Sequence, residues 1–177
     1  MVQIIAKRYA YALLDVAKKE DKVEEYRKQL KEAIEIFQID KVRKILRNKS
    51  IDKIGKMRFV EEILEGFNKE FVNFIKTIIL KDRENLIVPI RDQFEALYKE
   101  YFNIMDVKVI SAYPLKEETV QRLKEKLEGK FKKQVNVILI VDKNILGGLK
   151  LIIGNTIIDG SVKARLDALF KNLQQAV

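Results

Sequence analysis

In the first hundred residues, apolar side chains recur every three or four positions, which is the spacing of one face of a helix. Asp52 is a plausible N-cap, Gly66 a plausible helix end, and Pro89 lies where the first turn of a helix tolerates proline. The pattern therefore predicts six helices, over residues 3–19, 23–37, 40–47, 53–66, 68–80 and 89–103.

The first and fifth of these helices carry more apolar surface than the others. On the first, the apolar arc spans roughly 200°, about twice the minimum for a surface helix. Two explanations remain open: both helices lie at the centre of the bundle, or together they form an exposed groove for an amphipathic helix of a partner. Small residues such as Ala12 and Thr77 would let such a helix approach closely.

After Met105 the pattern changes to the alternation that is typical of strands. We expect strands over residues 107–112, 135–141, 149–153 and 156–158, with helices over 117–132 and from Ser161 onward. The strand at 135–141 is apolar on both faces, which predicts a place in the interior of its sheet. Gly154 opens a tight turn between the last two strands.

These elements predict a mainly α fold with a smaller α+β part. An N-terminal six-helix bundle, residues 1–105, precedes a strand–helix–strand–strand–strand–helix domain, residues 106–177. No run reaches the roughly 18 apolar residues of a membrane span, and the N-terminus lacks the features of a signal peptide.

Composition narrows the chemistry that is open to this chain. Its 177 residues include no Cys and no His, which removes disulfides, thiolate sites and the commonest general base and metal ligand. The net charge of +9 comes from 35 basic and 26 acidic side chains that are interleaved along the sequence. The densest basic stretch, residues 41–58, is either a solvated surface or a contact for an acidic or lipid partner.

The candidate chemical motifs favour structural roles. Gly147 and Gly148 lie between two strands, so a bulge or close backbone packing is favoured over phosphate binding. Asp159 and Ser161 precede the last helix, where their side-chain oxygens would cap it. Adjacent glutamates such as Glu61 and Glu62 do not face each other on a helix, so they form no acid–base pair. We predict no catalytic residue, no metal site and no cofactor.

Three segments carry a resemblance to a known family. Residues 145–169 place a glycine pair, a further glycine and an Ile-Asp-Gly-Ser turn at the family's spacing; residues 6–17 contain its Arg-Tyr-Ala-x-Ala core; residues 80–86 resemble its loop after the fifth helix. On these motifs the whole chain resembles the delta subunit of bacterial and chloroplast ATP synthases, the family of the mitochondrial oligomycin-sensitivity-conferring protein. Two residues depart from the pattern: Asp82 lies where the family more often has a small residue or Asn/Gly, and Lys81 adds a charge.

The resemblance implies a function as a non-catalytic subunit of the peripheral stalk, the stator of a proton-translocating ATP synthase. It implies that the first and fifth helices bind the N-terminal helix of an alpha subunit, and that the second domain joins the membrane-anchored b subunits. It also implies a place on the cytoplasmic face of the bacterial inner membrane, with contact to the membrane only through the complex. No small-molecule substrate, cofactor or nucleic acid is expected.

Residues can be assigned to these roles by their match to the family. The groove for the alpha-subunit helix would include Tyr9, Ala12, Leu13, Val16, Phe74, Thr77 and Ile78. The signature residues, assigned mainly to the fold of the second domain, with part of their surface open to the b subunits, are Gly147, Gly148, Gly154, Asp159, Gly160, Ser161 and Arg165.

Other classes of function make different predictions. A basic RNA-binding protein would show aromatic side chains interleaved with a basic face, and the sequence lacks that pattern. An enzyme would need convergent titratable groups, which the absence of His and Cys disfavours. A helical adaptor of unspecified partner remains as the general alternative.

Overall fold

The computed structural model describes residues 2–48 and 50–175, with side chains as far as Lys171. The chain divides after Glu100 into two compact units, called unit 1 and unit 2 below. The boundary that the sequence suggested, after Met105, falls inside the first strand, which begins at Ile104.

Unit 1 contains the six predicted helices, which are confirmed. Two of the caps are made by side chains: Asp52 accepts from the amide of Gly55 at 2.8 Å, and Asn68 accepts from the amide of Glu70 at 2.9 Å. A short 3₁₀ turn, Glu84–Leu86, precedes the last helix. The helices are α1 (Val2–Lys19), α2 (Val23–Gln38), α3 (Asp40–Arg47), α4 (Lys53–Ile63), α5 (Lys69–Leu80) and α6 (Ile87–Tyr101).

Helices α1 and α5 contribute much of the core of unit 1. On α1 the alanines Ala6, Ala10 and Ala17 are fully buried, so neighbouring helices approach its backbone closely. On α5 the fully buried side chains include Phe71 and Ile75. Both helices are therefore central, as the first of the two explanations predicted, but each also keeps one side at the surface.

A partly buried polar network fixes the start of α5 against the end of α1. The hydroxyl of Tyr26, on α2, lies 2.9 Å from Glu20 Oε2 and 3.0 Å from Asn68 Oδ1, and Asn68 Nδ2 donates to Glu20 at 2.9 Å. Burial, and next the hydrogen bond to Glu20, raise the pKa of Tyr26 above its ordinary value. Because Asn68 is also the N-cap of α5, the network couples the positions of three elements.

Unit 2 contains the predicted order of strands and helices, which is confirmed. Val107 and Val109 are fully buried, and Leu127, with the half-buried Leu123 and Phe131 of the first helix in unit 2, packs against one face of the sheet. The elements are β1 (Ile104–Ser111), α7 (Glu117–Phe131), β2 (Gln134–Val141), β3 (Leu149–Ile153), β4 (Thr156–Asp159) and α8 (Val162–Gln175). The sheet has the order β2–β1–β3–β4, with β1 and β2 parallel and the other pairs antiparallel.

The prediction that residues 135–141 form an interior strand is wrong. Strand β2 lies at one edge of the sheet and pairs only with β1. Its last four side chains, from Ile138 to Val141, are between 37% and 50% exposed. Apolar residues on both faces of a strand concern what covers those faces. They do not tell whether a second strand pairs with it along its other edge. The pattern instead marks an apolar surface.

Candidate partner-binding surfaces

Five of the seven residues predicted for the groove reach the surface of unit 1. Ala12 and Thr77 are exposed, while Tyr9, Val16 and Phe74 are half-buried. These five residues are called the α1–α5 face. The other two, Leu13 and Ile78, are 1% and 0% exposed, so they belong to the core that supports this face.

Aromatic contact joins the two helices of the α1–α5 face. The rings of Tyr9 and Phe74 have centroids 6.1 Å apart and meet edge to face at 68°. The hydroxyl of Thr77 donates to the carbonyl of Asn73 at 2.9 Å, one turn earlier in α5, so it is satisfied within its own helix. The face thus offers apolar and aromatic contacts, which suit the apolar side of a helix.

The loop after α5 ends the helix with a Schellman motif, which sequence reasoning missed. Asp82 has a left-handed backbone with φ +51°, and its amide and that of Arg83 donate to the carbonyls of Ile79 and Ile78 at 2.9 and 3.0 Å. Glycine or asparagine is favoured at such a position, which accounts for the family's preference for a small residue or Asn/Gly where this chain has Asp82. Its carboxylate instead accepts from Lys53 Nζ at 2.6 Å, a hydrogen bond that lowers the pKa of Asp82.

The signature glycines of unit 2 allow two backbone segments to touch, which confirms the prediction of close backbone packing. Gly148 has φ +76°, and a Cβ at this position would lie 2.4 Å from the carbonyl oxygen of Gly160. The amide of Gly160 donates to Leu149 at 2.9 Å, and that of Val162 donates to Gly147 at 3.0 Å. The loop before β3 and the start of α8 are thereby held together.

Ser161 is the N-cap of α8, as predicted, whereas Asp159 stabilises the turn before the helix and caps none of its amides. Ser161 Oγ accepts from the amide of Ala164 at 3.1 Å, and Asp159 Oδ1 accepts from the amide of Ser161 at 3.0 Å. Gly154, with φ +55°, makes the turn between β3 and β4. Arg165 is exposed on α8. These contacts are structural and leave the surface of α8 free.

Asp159 gives this turn a predictable response to acid. The hydrogen bonds from Ser161, and next the contact with Lys150, hold the pKa of Asp159 below its ordinary value. Stability from a carboxyl with a lowered folded pKa is present above the unfolded pKa, about 3.9, and is lost as pH falls through the folded value. We expect the Ser161 amide resonance, followed by NMR, to titrate with a midpoint below about 3.9 and to lose this step in Asp159→Asn. A midpoint at or above the ordinary value would contradict the assignment.

Helix α8 carries a second exposed apolar surface. Val162, Leu166, Leu169 and Phe170 follow a helical spacing and are between 41% and 64% exposed. These four residues are called the α8 stripe. Soluble proteins seldom leave such a stripe uncovered, so it indicates a binding surface for a partner.

The basic stretch in residues 41–58 is partly engaged within unit 1. Arg43 pairs with Asp40, and Lys53 pairs with Asp82. Lys56 is only 8% exposed, with its Nζ 3.9 Å from Glu84 Oε1. Lys53 and Lys56 also line a cavity of about 1110 Å³ with apolar walls that include Phe37 and Leu46. These three cations are thus matched by carboxylates of the same unit.

No chemical site emerges in the part of the chain that the structure describes. Within residues 2–48 and 50–175, no group of three or more acidic side chains could hold a metal ion. Over the same residues, no helix combines the length and apolar character that crossing a bilayer requires. Among the described residues, the apolar surfaces that stay exposed include the α1–α5 face, the α8 stripe and the end of β2, Ile138 to Val141.

Comparison with known proteins gives the family. The family model described as ATP synthase delta (OSCP) subunit matches residues 5–173. A relative named ATP synthase subunit delta, from Caldanaerobacter subterraneus subsp. tengcongensis, is 68% identical over the full length of both chains. A relative of the same name from Clostridium perfringens is 35% identical over 94% of each chain.

A solved structure shares the fold. It is a chain in the hexamer of the Toxoplasma gondii mitochondrial ATP synthase, with a TM-score of 0.65 at 19% identity, covering 96% of this chain and 97% of that one. With six helices before a four-stranded α+β unit and a family model matched over nearly its whole length, this chain belongs to the ATP synthase delta (OSCP) subunit family.

Proposed function

We propose that this protein is a non-catalytic connector in the peripheral stalk of a proton-translocating rotary ATP synthase. Unit 1 binds the N-terminal helix of an alpha subunit in the catalytic head, and unit 2 binds the membrane-anchored b subunits. The connection keeps the stator from turning with the rotor. The observation that carries the proposal is the α1–α5 face. It is an apolar surface on two helices whose opposite, buried sides already form part of the core of unit 1.

The α1–α5 face has the composition of an interface centre. Aromatic side chains such as Tyr9 and Phe74 provide large contact area with little loss of side-chain entropy. Ala12 and Thr77 are small enough for a helix backbone to approach. The apolar anchors supply most of the affinity, and charged residues around them set the register.

Calorimetry tests this half of the proposal directly. The titrant is a synthetic peptide of the alpha subunit's first 20 or so residues, which as a helix is about 30 Å long and comparable with the 18 residues of α1. Saturable binding with one peptide per protein is the expected result. Absence of binding, with RNA retained instead in a salt-dependent manner, would overturn the proposal in favour of a nucleic-acid-binding protein.

The α8 stripe is the surface that we assign to the b subunits. Its four apolar side chains lie along one side of a helix, so an amphipathic helix could pack against them. Strand β4, which precedes α8 in the chain, also exposes Ile157 and Ile158, at 59% and 44%, on opposite faces of the sheet. Attachment of the protein to the membrane is then indirect, on the cytoplasmic face, through the b subunits.

A charge within the α8 stripe should release the b subunits. We expect Leu169→Asp to weaken binding of a soluble b-subunit fragment by at least about 10-fold, because a carboxylate would be buried without a partner. The matched control is Ala168→Asp, which introduces the same charge on the same helix outside the stripe. Surface plasmon resonance measures both, and equal affinities for the two variants would remove the stripe from the interface.

A further inference from the structure

We propose that Arg83 is a positioning residue of the α1–α5 face, which holds Tyr9 in the orientation that packs against Phe74. This inference rests on the proposed function, because it concerns how the face is prepared for the alpha-subunit helix. Arg83 acts through Tyr9 and needs no contact of its own with the bound helix.

The backbone of Arg83 is fixed by the end of α5. Its amide donates to the carbonyl of Ile78 at 3.0 Å, the longer of the two hydrogen bonds that close the Schellman motif. Ile78 is fully buried in the core. The Cα of Arg83 therefore has a defined place relative to Phe74 and Thr77, on the same helix.

A third helix holds this cap in place. Lys53, the first residue of α4, donates through Nζ to the carbonyl of Leu80 at 2.8 Å and to Asp82 Oδ2 at 2.6 Å. One side chain thus binds both the last carbonyl of α5 and the left-handed residue that follows it. The loop that carries Arg83 is anchored on α4 as well as on α5.

The side chain of Arg83 crosses from this loop to α1. Its Nη1 donates to the hydroxyl of Tyr9 at 3.0 Å, and its guanidinium carbon lies 5.7 Å from the centre of the Tyr9 ring. Tyr9 in turn meets Phe74 edge to face. Three contacts therefore form a chain from the end of α5 through Arg83 and Tyr9 back to the middle of α5.

The hydrogen bond from Arg83 to Tyr9 should increase the affinity of the α1–α5 face for a docked helix. Tyr9 is half-buried, so a ring without the hydrogen bond from Arg83 could leave its rotamer and would have to be ordered again when a helix docks. Immobilising one such side chain changes affinity by about 3- to 10-fold. We therefore expect that removing the hydrogen bond between Arg83 and Tyr9 raises the dissociation constant for the alpha-subunit peptide.

A double-mutant cycle tests the inference on the full-length protein. Tyr9→Phe keeps the ring and removes the acceptor, and Arg83→Met keeps much of the side-chain length and removes the donor. Each single variant should bind the peptide about 3- to 10-fold more weakly, and the double variant should bind no more weakly than Arg83→Met, since both remove the same bond. Arg83→Lys can still donate to Tyr9. When Tyr9 is unchanged, Arg83→Lys should therefore bind the peptide more tightly than Arg83→Met, whereas in combination with Tyr9→Phe the two substitutions should give equal affinities.

Two further readouts separate positioning from direct contact or general stability. A bond between Arg83 and a carboxylate of the peptide would weaken steeply with salt, whereas the loss in Arg83→Met should stay constant from low to high ionic strength. The aromatic NMR shifts of Phe74 should move in Arg83→Met before peptide is added. Arg91→Met, at another half-buried arginine of unit 1, is the control and should change neither quantity.

The outcomes distinguish this inference from the proposed function. Wild-type binding with additive losses in the cycle, or with no loss in Arg83→Met, would overturn the role of Arg83 and leave the proposed function intact. Absence of binding by the wild-type protein would overturn the proposed function and this inference together.

Discussion

Replacing Ala12 by aspartate is expected to weaken binding of the alpha-subunit peptide by more than about 100-fold, the cost of burying a carboxylate without a partner. Ala12 is exposed in the middle of the α1–α5 face, one turn from Tyr9 and one turn from Val16. A docked helix would cover the new carboxylate with apolar side chains. Because Ala12 lies outside the core, the unfolding temperature of the variant should remain close to that of the wild type.

The control for this variant is Ala96→Asp. Ala96 is exposed on α6, so the substitution introduces the same charge and the same loss of helix propensity in the same unit. Calorimetry of both variants with the same peptide isolates the effect of location. If Ala12→Asp bound the peptide as tightly as Ala96→Asp, the α1–α5 face would not be the binding surface.

Replacing Gly148 by alanine should lower the free energy of unfolding of unit 2 by about 3 kcal/mol or more. The left-handed backbone at this position is unfavourable for alanine, and the added Cβ would overlap with a neighbouring backbone segment. The added Cβ would lie 2.4 Å from the carbonyl oxygen of Gly160, and neither segment carries a flexible side chain there that could move aside. That cost is a large part of the stability of a small domain. Amide NMR spectra should show unit 2 unfolded or strongly destabilised while the resonances of unit 1 persist.

Gly129→Ala is the matched control within unit 2. Gly129 lies inside α7, and a Cβ there would meet no atom within 4 Å. The substitution should be neutral or stabilise unit 2 by up to about 1 kcal/mol, because alanine restricts the unfolded chain and favours a helix. A Gly148→Ala protein as stable as Gly129→Ala would show that the signature glycine pair is not required for the fold.

The helices and caps can be predicted from the sequence because they depend on interactions between residues that are close together in the chain. Apolar spacing placed all six helices of unit 1, and the Asp52 and Ser161 caps depend on amides only three residues away. The close backbone packing at Gly148 was also predicted, since glycines between two strands have few other roles.

The place of β2 in its sheet could not be predicted in the same way. Residues 135–141 are apolar on both faces, but strand order depends on which partners reach each edge, which involves contacts distant in sequence. The structure pairs β1 with β3 on its other side, which leaves β2 at the edge.

The residues of the candidate site were predictable only in part. Periodicity identified the apolar arcs of α1 and α5, yet it could not tell that Leu13 and Ile78 are buried while Ala12 and Thr77 are exposed. The contact between Arg83 and Tyr9 joins residues 74 positions apart, and no local pattern reports such a pair. The sequence shows only that Arg83 directly follows Asp82, where this chain departs from the residues usual in the family.

A bridging assay shows whether this protein connects the catalytic head to the stalk, as we propose. Catalytic heads that lack the delta subunit are mixed with a soluble b-subunit fragment from the same organism, with and without this protein, and the complexes are separated by sedimentation. We predict that the b fragment sediments with the head only when the protein is present, and that Ala12→Asp and Leu169→Asp each lower the fraction of the b fragment that sediments with the head. If the b fragment sedimented with the head without the protein, or failed to sediment with it when the wild-type protein was present, the protein would not be the connector between them.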